Sequence, residues 1–489
     1  MSVVIALDLG TTGNRAIAFD KTGKPLASAY YEFKQHFPKP AWVEHDPKEI
    51  FKTTMNALND IIDQIGVDCV SAIGITNQRE TAVLWDKHTG EPVYNAIVWQ
   101  CRRTTDRCNQ LSDSKDMIKE KTGLFLDPYF SATKIEWIIN NVEGVKSEIE
   151  KGNILFGTID TWILWKLTDG KKHCTDPSNA SRTMLYNIHN QDYDDDLLKL
   201  FSIPKNILPV IKDSIDDFGT LQSSYFGKEI PINAMIGDQQ SALFCQCGQD
   251  KGALKNTYGT GLFLMSYTGD IIAKTNRLIQ TVAWKINGKI SYALEGSVFV
   301  GGSAIQWLRD ELGIINEAKE TESLALSLES NDDVYLVPAF AGLGAPYWDP
   351  TARGVLIGIT RGTTKAHIVR ATLESLAYQT QEIIKDIQVN NPDLNFKSLR
   401  VDGGASLNNF LMQFQADISS ISVERPIIVE TTAYGAAGLA GIKAGLWTED
   451  EFRKTVVINK NFLPSMDENT RDLVISKWKK AVNRSLNWV

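Results

Sequence analysis

The sequence predicts an α/β protein built from two similar halves, and three observations carry that reading. Runs rich in β-branched and aliphatic residues alternate with stretches of helical periodicity along the chain. A strand, a Gly/Thr turn and a second strand occur in succession near residue 10 and again near residue 259. The length, 489 residues, accommodates two large domains when a domain holds about 100–200 residues. The join is placed near residue 248, giving an N-terminal domain over 1–248 and a C-terminal domain over 249–489.

Val3-Val4-Ile5-Ala6-Leu7 reads as a buried strand meeting the turn cluster Gly10-Thr11-Thr12-Gly13-Asn14. Arg15 to Phe19 resumes as its hairpin partner, and a third strand follows over 25–31. Asp46 and Pro47 open a helix as N-cap and first helical residue, and Ile50, Phe51, Met55, Leu58, Ile61, Ile62 and Ile65 keep helical spacing. Residues 70–75 form a buried strand running into Thr76-Asn77-Gln78-Arg79-Glu80. Ala234-Met235-Ile236-Gly237 is another, ending at Asp238-Gln239-Gln240. In the second half, 252–261 is strand and turn, and Leu262 to Met265 is strand again. Leu399 to Ala405 is a strand entering a glycine turn, with helical periodicity from Phe410. Tyr434 to Gly441 is a helix of small residues suited to close packing.

Hydrophobic residues make up 43% and charged residues 22%, an ordinary globular balance. The net charge of -8 lacks the basic excess of a nucleic-acid binder and argues against polyanion or membrane-surface partners. No apolar run reaches the roughly 20 residues that span a bilayer, and the N-terminus shows no basic and apolar targeting pattern. The six cysteines match neither a disulfide framework nor a zinc pair; Cys245 and Cys247 sit in an apolar stretch and read as core. A cytoplasmic enzyme with reduced thiols is expected.

No GxxxxGK[ST] loop is present, so any phosphate must be gripped otherwise. Gly/Thr-rich hairpin turns are one solution, because backbone N–H groups form an anion-binding concavity and hydroxyls add donors. Asp8-Leu9-Gly10-Thr11-Thr12-Gly13 and Tyr258-Gly259-Thr260-Gly261 both suit this, and Asp8 is placed to hold Mg²⁺ directly or through water. Either turn alone reads as an ordinary hairpin; two in corresponding places, one carrying an acid, point to phosphate. Asp402-Gly403-Gly404-Ala405 alone is a tight turn, or a place where backbone approaches a flat ligand such as adenine. Asp238, at a buried strand end, reads as a helix N-cap or as the carboxylate that accepts an attacking hydroxyl's proton, and both roles are compatible. Arg79-Glu80 places a donor beside an acceptor, which suits a vicinal diol, although a surface ion pair is the commoner meaning. Trp99 in Trp99-Gln100-Cys101-Arg102-Arg103 is a candidate aromatic wall or a core residue.

Taken together, these strings resemble the glycerol kinases of the FGGY carbohydrate kinase family, within the sugar kinase/Hsp70/actin superfamily. The resemblance runs from Ile5 to about Trp488. Its most specific pieces are Trp42 to Pro47, Gly74-Ile75-Thr76-Asn77-Gln78-Arg79-Glu80-Thr81, Asn95 to Arg103, Asp127-Pro128-Tyr129-Phe130-Ser131, Gly237 to Gln240, Asn256 to Gly261, and Gly342 to Trp348. The resemblance implies two actin-like (ribonuclease H-like) α/β domains with an interdomain cleft, the first binding glycerol and phosphate and the second binding nucleotide. It implies ATP-dependent phosphorylation of glycerol with Mg²⁺, in a cytoplasmic homodimer or homotetramer that has no nucleic-acid partner and no membrane insertion. Glycerol would be held by Arg79, Glu80, Tyr129, Asp238 and Gln239, with Trp99 and Phe263 against its carbons and Asp238 as base. Thr11, Thr12, Gly13, Arg15 and Thr260 would line the phosphates, and Gly302, Gln306, Gly404 and Asn408 the rest of ATP.

Three departures from the family's usual pattern stand out: Leu9 stands for Gln, the pair Gly13-Asn14 for two serines, and Ala132 for Gly. The stretch Gln222 to Pro231 corresponds to a loop that binds fructose 1,6-bisphosphate in some relatives. Here it has one glycine, no arginine, and Glu229 beside Lys228. Ser224 takes the place of a histidine phosphorylated in others, so both controls are expected to be absent. A kinase for a larger sugar of the same family, and a superfamily member without kinase activity, are the competing readings.

Overall fold

The computed structural model describes residues 2–248 and 250–488. The chain divides into two units, Met1–Gly248 with Gln280–Tyr292 and Thr431–Thr455, and Gln249–Ile279 with Ala293–Glu430 and Val456–Val489. From the sequence pattern, all of 249–489 is expected in the second domain. Two of its segments instead fold with the first, the larger of them including the glycine-rich helix Thr431–Lys443. Local periodicity shows that this helix is buried but not which sheet it covers.

In the first unit a six-stranded sheet runs in the order Thr220–Leu221, Ile230–Gly237, Val70–Asn77, Val3–Leu9, Gly13–Phe19, Pro25–Glu32. Val3–Leu9, Val70–Asn77 and Ile230–Gly237 are mutually parallel, while Gly13–Phe19 is antiparallel to both of its neighbours. The register sets Leu9 beside Asn77 and Asn77 beside Gly237. Three carboxyl ends therefore finish level, and the residues just beyond them are Gly10, Gln78 and Asp238. In open α/β sheets this is the edge where ligands bind.

The helix Pro47–Ile65 begins where the sequence signals it: Asp46 accepts from the Lys48 N–H at 2.8 Å, Pro47 has no N–H that needs an acceptor, and Gly66 at φ 79° ends it. Its buried stripe, Ile50, Ala57, Leu58, Ile61 and Ile62, joins Val3, Ile5, Leu7 and Leu9 in one core. Full burial of each large aliphatic side chain contributes about 1.5–3 kcal/mol. The helix Thr431–Lys443 packs closely on the same sheet, where a Cβ on Gly74 would lie 2.2 Å from the Ala436 carbonyl oxygen, and on the helix Asp238–Cys247, where a Cβ on Gly435 would lie 2.1 Å from the Ser241 carbonyl oxygen.

The second unit's sheet repeats the plan. Its strands include, in spatial order, Lys289–Val298, Leu262–Gly269, Leu254–Tyr258, Ser398–Asp402, Ser422–Pro426 and Ile458–Phe462. Leu254–Tyr258 is antiparallel to Leu262–Gly269 and parallel to Ser398–Asp402, which is parallel to Ser422–Pro426. The first strand of each unit thus lies between its hairpin partner and a parallel strand reached by a long crossover. Helix Lys365–Asn390 covers this sheet with Val369, Leu373, Leu376, Ile383, Ile384 and Ile387. Among the described residues, no helix is long and apolar enough to cross a membrane.

Candidate active site

Just past the three level strand ends of the first unit, charged side chains are buried together. Arg79 is 3% and Glu80 1% exposed, so the pair is not the surface ion pair that frequency would favour. Arg79 Nε lies 3.1 Å from Asp238 Oδ1 and 4.0 Å from Glu80 Oε1, and its Nη1 donates to Gln240 Oε1 at 3.1 Å. Gly237 leaves the space this arginine crosses, since a Cβ there would stand 2.8 Å from Arg79 Cδ. Glu80 also accepts from Arg182 Nε at 2.6 Å. Of the charged groups closest to Arg79, Asp238 is the one that reaches solvent, with 28% of its side chain exposed against 2% for Arg79.

Asp238 is the first residue of the helix Asp238–Cys247, and Gly237 is its N-cap; the capping role expected from sequence is therefore one residue out. The carboxylate still benefits, because it accepts the Gln239 N–H at 2.7 Å and sits at the positive end of the helix. Gln239 is buried beside it.

An aromatic wall stands over this cluster. Trp99 and Tyr129 meet edge to face, with ring centroids 5.6 Å apart. Trp99 is anchored at both ends, its backbone N–H on Thr81 Oγ1 (3.3 Å) and its Nε1 on Thr11 Oγ1 (3.0 Å). Tyr129 is set by its N–H to Asp127 Oδ1 (2.7 Å), and Asp127 is paired with Arg102. Beneath it the buried Lys134 donates to the carbonyls of Tyr129 (2.5 Å) and Phe130 (2.9 Å); burial pushes its pKa down to about 7.

The turn Gly10 to Gly13 is closed by Gly10 N–H on the Gly13 carbonyl (3.0 Å) and tied to the next strand end by Gln78, whose Nε2 donates to the Gly10 carbonyl (2.9 Å). Thr12 is exposed and shares a 3.2 Å hydrogen bond with the Tyr30 hydroxyl, over whose ring Arg15 lies at 5.2 Å. Two departures from the family pattern turn away from this turn. Leu9 is fully buried in the core, and Asn14 faces the helix Pro47–Ile65, donating to the Ile50 carbonyl, Thr53 Oγ1 and Thr54 Oγ1. The third, Ala132, is buried with its N–H on the Thr183 carbonyl.

In the second unit, Gly259 N–H bonds the Gly261 carbonyl (3.0 Å), leaving Thr260 exposed at the tip. Gly302 N–H is spent on the Gly259 carbonyl (2.7 Å), so what Gly302 offers a ligand is close approach rather than a donor. Gln306 is exposed on the helix Gly302–Asp310, and Phe263 is half-buried on Leu262–Gly269 beside Gly261. Gly403, at φ 82°, passes over Tyr258 so tightly that a Cβ would stand 2.6 Å from its carbonyl oxygen, while Gly404 faces open space. Asn408 caps the helix Asn409–Ser419 through the Leu411 N–H (2.9 Å) and donates to Thr321 Oγ1 (3.0 Å).

The structure thus brings Asp8, Thr11, Thr12, Gly13, Arg15, Arg79, Glu80, Trp99, Tyr129, Asp238 and Gln239 into one unit, and Thr260, Phe263, Gly302, Gln306, Gly404 and Asn408 into the other. Sequence reasoning missed Gln78, Lys134 and Arg182. The available signal was an Asp-Pro helix opening at Asp176-Pro177, like that at Asp46-Pro47, which marks a short buried helix just before Arg182. Among the described residues, no group of three or more His, Cys, Asp and Glu gathers as for a protein-caged metal. Asp8, half-buried at its strand end, fits an ion that takes one carboxylate and keeps most of its waters.

Comparison with known proteins follows the same lines. The N-terminal domain model of the FGGY family of carbohydrate kinases matches residues 3–245 and its C-terminal domain model matches 254–444. A glycerol kinase of Aquifex aeolicus is 54% identical over 490 residues, covering 100% of this chain and 99% of that protein. Glycerol kinase 2 of Thermotoga maritima is 53% identical over 494 residues, with 100% and 99% covered. The crystal structure of Plasmodium falciparum glycerol kinase with ADP superposes with a TM-score of 0.92 at 37% identity, covering 100% and 99%. A xylulose kinase from Lactobacillus acidophilus shares the fold at 21% identity, with a TM-score of 0.86 and 99% and 97% covered.

Proposed function

The chain belongs to the FGGY family of carbohydrate kinases, and we infer that within it this enzyme transfers the terminal phosphoryl group of ATP to glycerol, giving ADP and sn-glycerol 3-phosphate. The observation that carries the reading is the constellation of buried Arg79 and Glu80 with part-exposed Asp238, one cation between two carboxylates, at the level strand ends. Relatives more than half identical over the full chain are named glycerol kinases, which supports a three-carbon polyol over a larger sugar.

Arg79 donates to, and Glu80 accepts from, neighbouring hydroxyls of the polyol, while Trp99, Tyr129 and Phe263 are assigned to its carbon backbone and Gln239 to a hydroxyl. Asp238 accepts the proton of the attacking terminal hydroxyl as its oxygen bonds phosphorus and the bond to the ADP oxygen breaks. Such a transfer needs little covalent help, so positioning and charge neutralisation do most of the catalysis. Thr11, Thr12, Gly13 and Arg15 of the first unit and Thr260 of the second are assigned to the phosphates. Gly302, Gln306, Gly404 and Asn408 are assigned to the rest of ATP. The N-terminal part accordingly takes glycerol and phosphate and the C-terminal part the nucleotide. Asp8 would hold Mg²⁺ through its carboxylate, and the ion would supply neutralisation of phosphate charge. We assign the reaction to the cytoplasm, a reading that its use of ATP supports.

The test is ADP release on a panel of glycerol, propanediols, tetritols and pentuloses. The reading requires glycerol to give the highest kcat/KM; a pentulose exceeding it overturns the substrate assignment and leaves the family intact.

A further inference from the structure

We propose that the buried segment Asp176 to Thr183 is a positioning clip that holds the reacting groups in register, with Arg182 setting Glu80 and Ser178 setting the strand end that carries Asp238. The proposal rests on the glycerol reading above and adds residues that touch neither substrate.

The segment is built around one carboxylate. Asp176 is fully buried, and its Oδ1 accepts from Ser178 Oγ (2.8 Å), the Asn179 N–H (3.0 Å) and Asn179 Nδ2 (3.0 Å). Its Oδ2 accepts from the Ser178 N–H (3.1 Å) and Ser214 Oγ (2.7 Å). Five donors satisfy a charge that would otherwise be costly to bury. Two side chains held this way each present an acceptor to a catalytic strand. Ser178 Oγ accepts the Gly237 N–H at 2.8 Å, one residue before Asp238. Asn179 Oδ1 accepts from Asn77 Nδ2 at 3.0 Å, and the same Asn77 amide donates to the Gln78 carbonyl, one residue before Arg79.

The segment then reaches the site itself. Arg182 is fully buried, donates through Nε to Glu80 Oε1 at 2.6 Å, and lies over the rings of Tyr129 (5.5 Å) and Phe130 (5.3 Å). Next to it the Thr183 carbonyl accepts the Ala132 N–H at 2.8 Å, at the start of the helix that follows Tyr129. One short stretch therefore touches the strand end before Asp238, the strand end before Arg79, the carboxylate of Glu80 and the loop of Tyr129. A segment that only filled the core would be apolar, because buried polar networks are costly wherever they are left incomplete. This network has its outputs at the groups that recognise and activate the polyol.

The two arms act on different quantities, and that separates positioning from mere stability. Arg182 acts on Glu80, which holds hydroxyls in ground state and transition state alike, so its loss should appear in KM. Ser178 acts on the Asp238 strand end, so its loss should appear in kcat. The experiment compares wild type, Arg182→Lys and Ser178→Ala in glycerol-dependent ADP release, with melting temperatures recorded for each. Arg182→Lys keeps the charge and loses the planar fork; it should raise the glycerol KM about 10–100-fold with kcat and the ATP KM within about threefold, the scale of one hydrogen bond to a charged group. Ser178→Ala should lower kcat about 3–10-fold with the glycerol KM within about twofold. Melting points that fall while both kinetic constants stay at wild-type values, or losses of the same kind in both variants, overturn the clip. Should Arg182→Lys fail to fold, Ser178→Ala alone decides. A wild-type protein that releases no ADP on glycerol overturns the functional reading instead, and the clip with it.

Discussion

Asp238→Asn exchanges one oxygen of the proposed base for an amide nitrogen and changes almost nothing else in volume. The substituted side chain would keep an oxygen to accept from Arg79, which stands at 3.1 Å, but would no longer be a base. General-base contributions of about 10²–10⁴-fold correspond to about 2.7–5.4 kcal/mol of barrier at about 1.36 kcal/mol per decade. The structural cost is smaller. Arg79 loses a charged partner that is already 28% exposed and retains Glu80 and the Gln240 amide oxygen, so the fold should lose about 1–2 kcal/mol. The assay is ADP release at saturating glycerol, with glycerol affinity measured separately by calorimetry. The expected result is kcat down by at least about a hundredfold with affinity within about tenfold. A folded variant turning over within about tenfold of wild type refutes Asp238 as base.

Propane-1,3-diol, which lacks the central hydroxyl, should show a kcat/KM about 10⁴–10⁵-fold below glycerol, because Arg79 and Glu80 are dry and would lose the hydroxyl that matches them; near-equal rates would dissolve the diol clamp. Gly435→Ala should cost about 1–3 kcal/mol in denaturant unfolding, since the new Cβ meets the Ser241 carbonyl at 2.1 Å and overpacking outweighs the gain in helix propensity; an unchanged midpoint would show that the two helices separate easily. Burial holds Lys134 at about 7 against 10.5 when unfolded, so between those values the unfolded chain binds more protons and the Lys134 contribution to stability rises with pH. The stability difference between wild type and Lys134→Met should therefore move in favour of wild type as pH rises through that window, by at most about 1.4 kcal/mol per unit, and a flat difference would mean that the ammonium stays charged in the fold. Millimolar fructose 1,6-bisphosphate should leave the rate unchanged, because the Lys228 ammonium already donates to the carbonyls of Val67, Asp68 and Val70; strong inhibition would locate a bisphosphate site elsewhere.

What was legible in the sequence was whatever one segment decides alone. The Gly/Thr turn after Val3–Leu9, the Asp46-Pro47 helix start and the strand end at Gly237 each follow from local pattern, as does the strand from Val70, which runs to Asn77, two residues beyond its apolar stretch; the parallel register then brings the strand ends level. What escaped was decided by partners distant in the chain. Thr431–Lys443 is recognisable as a close-packing helix, yet its place on the first sheet depends on the fit of Gly435 to Ser241 and of Ala436 to Gly74. Asn14 reads as a lost hydroxyl of the phosphate turn, whereas strand alternation points it into the helix Pro47–Ile65. Arg182 carries no signal of its own, because its meaning is a carboxylate 102 residues away.

The doublet Arg79-Glu80 shows most directly why adjacency in sequence did not settle geometry. In an extended chain, successive side chains point to opposite faces, so a neighbouring donor and acceptor would not converge on one ligand. Here Glu80 takes φ 61°, a left-handed conformation that costs a non-glycine residue about 1–3 kcal/mol. It is held there by the Thr81 N–H on the Arg79 carbonyl (2.7 Å) and by Ser131 Oγ on its own carbonyl (2.9 Å). The reversal brings the Glu80 carboxylate back to within 4.0 Å of Arg79, whose guanidinium also meets Asp238. Glycine would relieve the backbone at this position and lose the acceptor. The strained glutamate, with Arg182 holding its carboxylate, gives up stability to bring donor and acceptor together, which is the arrangement the proposed diol clamp requires.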